Sequence, residues 1–121
     1  MATVEITKDN IDETLSKNDI VLLDFWAAWC GPCRQFGPIF EAASEAHSEA
    51  VFGKVDTDAQ QELAAAAQIS SIPTIMIFRE GIPVFRQSGV LNQSALEDVL
   101  GQVAALNMDE VRAQIAAGEQ G

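Results

Sequence analysis

The sequence predicts an α/β protein, a three-layer α/β/α sandwich around a mixed central sheet of about five strands. Three observations carry that expectation. The run Ile20-Val21-Leu22-Leu23-Asp24-Phe25-Trp26 is almost continuously apolar, as in a strand covered on both faces by helices. Segments of helical apolar spacing alternate with such runs and give the order β-α-β-α-β-α-β-β-α. The length is that of one domain: 121 residues and 13.0 kDa, with 48% hydrophobic and 21% charged side chains, form one ordinary core and argue against disorder over most of the chain.

Each element has a local reason. Val4-Glu5-Ile6 alternates as a short first strand, and the Thr7-Lys8-Asp9-Asn10 segment caps a helix carrying Ile11 and Leu15. The central strand at residues 20–26 follows. Phe36, Ile39, Phe40 and Ala43 then form a helical stripe, with Glu41, Ser44, Glu45, Ser48 and Glu49 mostly off it and Pro38 as an expected kink. Val51-Phe52-Gly53-Lys54-Val55 reads as another buried strand, which Asp56-Thr57-Asp58 stops while capping an Ala-rich helix from about Gln61 to Ala67. Ile75-Met76-Ile77-Phe78 and Val84-Phe85-Arg86-Gln87 pair as a hairpin across the turn signal Glu80-Gly81. Asn92 caps a helix whose Leu96, Val99, Leu100 and Val103 face the sheet. No repeats or low-complexity tracts are visible. The expected division is a domain at 1–106 and a C-terminal extension at 107–121. In that extension Asn107 caps a short helix with Met108, Val111 and Ile115 on one docking face, and Gly118-Glu119-Gln120-Gly121 frays.

Charge narrows the partners. Seven Lys and Arg against 18 Asp and Glu give a formal net charge of -11 and a sequence pI near 4.2, which disfavours nucleic acid and anionic membranes. No stretch approaches the ~20 apolar residues that span a bilayer, and the N-terminal residues show no secretory pattern. A cytoplasmic monomer is expected.

The two cysteines both lie in Cys30-Gly31-Pro32-Cys33, directly after the central strand and at a helix start. Cysteines three apart in a first helical turn can meet the ~5–6 Å Cα separation of a disulfide. Cys30 at the extreme N-terminus also faces unpaired N–H groups and the positive end of the helix dipole, which favour thiolate. Cys30 is therefore the expected nucleophile and Cys33, one turn deeper and less exposed, the resolving thiol. Pro32 is tolerated in the first turn and stiffens the loop. The competing reading is half a zinc site, but zinc normally takes four ligands and the chain offers only His47 besides these two thiols. His47 itself reads as a partly covered residue without a chemical role, and no metal is expected.

With Asp24-Phe25-Trp26-Ala27 upstream, Trp29 before the first cysteine, and Ile72-Pro73-Thr74 downstream, the chain closely resembles the thioredoxin family over roughly residues 3 to 106. The resemblance implies the thioredoxin fold and a thiol-disulfide oxidoreductase that reduces disulfide-containing protein substrates. It implies no bound cofactor beyond the redox-active Cys30–Cys33 disulfide, with NADPH entering only through thioredoxin reductase. Residue by residue, it makes Cys30 the nucleophile, Cys33 the resolving thiol, Pro73 a cis-proline facing the dithiol and Gly89 part of the substrate groove. It also places Gly31 and Pro32 at the substrate surface, with Trp29, Ile72 and Val90 as apolar contacts around the sulfurs and backbone pairing near Ile72. Read alone, Pro73 would be a trans strand starter.

Asp24 interrupts the central apolar run, and burial raises the pKa of a carboxylic acid. By the resemblance it helps deprotonate Cys33, paired with Lys54. The alternatives are a solvent-facing Asp24 at a strand end and a Lys54 that snorkels to the surface. Departures from the commonest family pattern are Arg34, Ala28 and Ser71, which bear on partners and redox tuning. An oxidase or isomerase of the same fold, or a binding module with an incidental dithiol, are the competing functions. The Gly-Pro pair between the cysteines speaks against the first.

Overall fold

The structure is a computed structural model that describes residues 2–120. Its elements are β1 (Thr3–Glu5), α1 (Ile11–Lys17), β2 (Ile20–Trp26), α2 (Gly31–Ala46), β3 (Val51–Asp56), α3 (Gln61–Ala66), β4 (Thr74–Arg79), β5 (Ile82–Ser88), α4 (Gln93–Ala104) and α5 (Met108–Gln120). The sheet order is β1-β3-β2-β4-β5. β1 and β2 flank β3 in parallel, and β2, β4 and β5 run antiparallel, so the sheet is mixed, as expected.

β2 is hydrogen-bonded on both edges, and its alternating side chains divide the core. Ile20 and Leu22 join Phe36 and Phe40 of α2 and Leu96, Leu100 and Val103 of α4 on one face. Val21, Leu23 and Phe25 face the other way, toward Ile11 and Leu15 of α1 and Leu63 and Ala67 beside α3. Phe40, wholly buried, meets the Phe52 ring edge-on at 5.2 Å. Crossovers through helices bring both layers onto the sheet because parallel neighbours cannot be joined by a hairpin.

Local chemistry sets the ends of the elements. The β4–β5 turn places Glu80 and Gly81 at φ 54° and 78°, the left-handed pair that matches strand twist. Pro83 is tolerated because β5 is an edge strand, and the register slips by one residue beside it. Asn92 caps α4 by accepting the Ala95 N–H at 2.8 Å, and Asn107 caps α5 by accepting the Glu110 N–H at 3.2 Å. Two expected caps act differently. Asn10 precedes α1 but turns its Oδ1 back to the Thr7 N–H, and Asp56 accepts N–H groups of Asp58 and Ala59 in the turn before α3, whose own N-cap is Gln60. In both cases a short polar side chain closes its own turn, the local competition expected of Asn and Asp. α2 runs through Pro38, whose ring is exposed to solvent.

The last helix differs from its expectation in length. α5 continues through Gly118 to Gln120, where fraying was expected, and Gly121 lies outside the described residues. Met108 is buried, Arg112 bridges Glu80 and Asp109, and Arg79 donates to the Val103 carbonyl at 2.9 Å while pairing with Asp19 at 2.9 Å. The junction of α4 and α5 is thereby tied to the β4–β5 turn, at the end of the sheet away from the cysteines. No described helix is long and apolar enough to cross a membrane.

Gly53 sits where β3 runs between β1 and β2, and a Cβ there would collide with the Ile6 side chain and stand 3.1 Å from Leu23 Cδ2. Gly53→Ala is expected to destabilise the fold by about 1–3 kcal/mol, the usual effect of overpacking, with an unchanged slope in urea unfolding.

Candidate active site

β2 delivers its chain end to the start of α2 through Ala27, Ala28 and Trp29. Cys30 takes the N-cap position with extended backbone (φ -88°, ψ 115°), and the Cys33 N–H donates to its Sγ at 3.2 Å. One of the helix's orphan donors thus points at the sulfur that the sequence marks as nucleophile. Cys30 and Cys33 form a disulfide with Cα atoms 5.2 Å apart, inside the range expected from their spacing. Their residue exposures, 5% and 4%, are nearly equal, so in the oxidised form the two cysteines are not separated by depth as expected. Gly31 and Pro32 between them are exposed, because the helix start projects from the sheet end.

The opposite wall comes from the segment before β4. The Ile72-Pro73 bond is cis, Pro73 is buried, and the Ile72 carbonyl oxygen lies 3.7 Å from Cys30 Sγ. The Gly89 N–H donates to the Pro73 carbonyl at 2.8 Å, holding the end of β5 alongside. Gly89 has φ +92° and open space where a Cβ would stand, so backbone conformation and not crowding requires glycine there. Thr74 Oγ1 fastens the same segment, donating to the Ser71 carbonyl at 2.7 Å and lying 3.0 Å from Ser88 Oγ.

A groove of about 440 Å³ runs beside the disulfide, lined by Trp29, Cys30, Gly31, Pro32, Thr57, Ala64, Ile69, Ser70, Ser71 and Ile72. Trp29 is 67% exposed, and its indole N–H donates to Asp58 Oδ2 at 3.0 Å, which orients a ring that packing alone would leave free. Of the residues anticipated at this surface, Trp29, Gly31, Pro32 and Ile72 line the groove. Pro73, Gly89 and the exposed Val90 lie outside its lining, on the cis-proline flank. Sequence reasoning missed Asp58, Thr57 and Ser70. The first two stood in a run read only as strand end and cap, and nothing local indicated that it meets Trp29.

Beneath α2 lies the charged pair. Asp24 shares the sheet face of Leu22 and is 1% exposed, and Lys54 is its register partner on β3. Lys54 Nζ is 3.5 Å from Asp24 Oδ2 and 4.9 Å from the centre of the Trp26 ring, and a Cβ on Gly37 of α2 would stand 3.8 Å from it. Neither Asp24 oxygen accepts a hydrogen bond from a described residue. Burial pushes the Asp24 pKa up to about 6, opposed in part by the Lys54 charge. The solvent-facing alternative for Asp24 is overturned, because its strand is central and covered. Lys54 is half-buried and engaged, so the snorkelling alternative fails as well. Arg34 is exposed and donates to the Ala28 carbonyl at 3.1 Å.

Comparison with known proteins agrees with this geometry. The family model described as thioredoxin matches residues 2–102. The chain is 60% identical over 115 residues to putative thioredoxin 2 of Streptomyces coelicolor, covering 95% of this chain and 86% of that one. It is 41% identical over 108 residues to the bifunctional thioredoxin reductase/thioredoxin of Mycobacterium leprae, covering 87% of this chain and 24% of that longer protein. The solved structure of a mutant thioredoxin from Halobacterium salinarum superposes with a TM-score of 0.80 at 33% identity, covering 87% of this chain and 93% of that one. With a cysteine pair joined at a helix start, a cis-proline across from it and these relatives, the chain belongs to the thioredoxin family and is a thiol-disulfide oxidoreductase that reduces protein disulfides.

Proposed function

We propose the following division of labour within that activity. In the reduced protein the Cys30 thiolate attacks one sulfur of a substrate disulfide, forming a mixed disulfide and expelling the first substrate thiolate. Cys33 then gives up its proton and attacks Cys30 Sγ. The Cys30–Cys33 disulfide forms, the second substrate thiolate leaves, and two electrons have passed from the dithiol to the substrate. The observation that carries the assignment is the Cys33 N–H directed at Cys30 Sγ at the N-cap of α2, since a donor and a helix dipole at that point favour charge on sulfur. Asp24, on the sheet face beneath α2 and poised near pH 6, accepts the Cys33 proton, and Lys54 steadies the charge that results.

Substrate docks along the groove beside Trp29, Gly31, Pro32 and Ile72 and across Pro73, Gly89 and Val90, with backbone pairing near Ile72. Thioredoxin reductase regenerates the dithiol with electrons from NADPH. The fused Mycobacterium leprae relative, by its name both reductase and thioredoxin, supports that partner. The protein acts as a monomer and without nucleic acid or membrane, in the cytoplasm, where reducing conditions keep such a pair turning over. Residues 1–106 form the catalytic domain and 107–121 an extension outside the chemistry.

In an insulin-reduction assay with dithiothreitol, Cys30→Ser is expected to lose all turnover, whereas Cys33→Ser traps a mixed disulfide visible by mass spectrometry. Full activity in Cys30→Ser refutes the assignment. Asp24→Asn is expected to slow turnover, by up to the ~100-fold effect of losing a positioned base. Its stability moves the other way. A folded pKa of about 6 lies above the ~3.9 of an unfolded aspartic acid, so the native state binds the extra proton and wild-type stability falls as pH rises from about 4 to about 6. Asp24→Asn is therefore more stable than wild type by about 2–3 kcal/mol at pH 8, a gain that disappears below about pH 4 in denaturant titrations. A chain ending at Leu106 is expected to keep insulin reduction while losing about 1.5–3 kcal/mol of stability, the worth of burying Met108.

A further inference from the structure

We infer that His47 is a proton-operated clasp joining the far end of α2, the helix that bears the dithiol, to α4. His47 is the C-cap of α2 and the only histidine of the chain. Its Nδ1 lies 2.9 Å from Glu49 Oε2 in the α2–β3 turn, and its Nε2 lies 2.6 Å from Glu97 Oε2 on α4. A neutral imidazole carries one N–H, so it can meet only one of these carboxylates as a donor and must present a lone pair to the other. With both carboxylates ionised, both contacts hold together as hydrogen bonds only when the ring carries two N–H groups. The carboxylates approach opposite nitrogens, so the arrangement has no common point for a cation and is read as a proton site.

The surroundings favour the charged ring. The groups that face it are both acids, Glu97 from α4 and Glu49 from the turn. Its own helix carries Glu41 and Glu45, and the C-terminal carbonyls of α2 add their negative dipole end. On β3, Lys54 is engaged with Asp24, and on α4 Asp98 accepts from Gln102 at 3.1 Å. No Lys or Arg lies between Arg34 and Lys54, nor anywhere in α4, so His47 is the one side chain of these two stretches able to become a cation. Hydrogen bonds to Glu49 and Glu97 accordingly hold its pKa above the ordinary value.

A raised pKa means that the clasp is complete below the unfolded histidine value of ~6.5 and is lost as pH rises through the folded value. This window lies above the one set by Asp24, so the two titrations are read separately. Because the ring is the chain's only imidazole, its NMR signals titrate without overlap. The full-length protein is expected to show a pKa above 6.5, and Glu97→Gln is expected to bring it down toward that value. In thermal melts His47→Gln is expected to lower Tm by about 2–4 °C at pH 6.5, a deficit that closes as pH is raised toward 9. A wild-type pKa at or below 6.5, no change in Glu97→Gln, or a His47→Gln deficit equal at pH 6.5 and pH 9 overturns the clasp.

Discussion

Everything at the active end of this molecule depends on β2 being saturated. It pairs in parallel with β3 and antiparallel with β4, and six of its seven residues are buried. A strand held on both edges and covered on both faces cannot shift in register without exposing a full set of apolar side chains. The chain therefore leaves the sheet at a fixed point after Trp26 and has only Ala27, Ala28 and Trp29 in which to turn into α2. Cys30 falls at the N-cap by that arithmetic, and the antiparallel neighbour β4 brings Ile72 and Pro73 opposite the same strand end. The reactive sulfur, the helix N-terminus and the cis-proline segment meet because one strand is immovable.

The same saturation explains the cost and use of Asp24. A carboxylate in a central strand finds no backbone donor, since those are committed to the ladder, and its oxygens indeed accept no hydrogen bond from described residues. Only the register partner Lys54 answers it, as an ion pair at 3.5 Å. A buried acid with so little compensation stays protonated to unusually high pH, which is a liability for stability and, in the proposed mechanism, what suits it to take up a proton near neutrality.

Cations are scarce in this chain, and four of the seven tie elements together or answer a buried acid. Arg79 closes the end of α4, Arg86 donates to the Ala67 and Gln68 carbonyls that end α3, Arg112 ties α5 to the β4–β5 turn, and Lys54 answers Asp24. What remains on the surface is mostly acidic. The groove beside the disulfide is lined by an indole, aliphatic side chains and hydroxyls, with Asp58 held against Trp29, so under the proposed docking a substrate is met by shape and apolar contact more than by charge.

Much of this was legible in the residues. Period and apolar continuity identified the strands and helices, because burial on one or two faces imposes those patterns whatever the neighbours are. The Cys30-x-x-Cys33 spacing at a strand-to-helix junction identified the redox pair, because disulfide geometry and helix-end electrostatics are local. Asn10 holds the N-cap position of α1 without capping it by its side chain, and Asp56 closes the turn before α3 instead of capping it, because both can bond to several nearby N–H groups and the sequence does not say which. The tertiary structure alone decided partners distant in the chain that neither local pattern nor resemblance gave: Asp58 at the Trp29 indole N–H, the Gly89 N–H on the Pro73 carbonyl, and Glu97 on His47. Local pattern follows from short-range sterics and burial, whereas these pairings follow from the register and crossovers of the sheet, which only the assembled chain fixes.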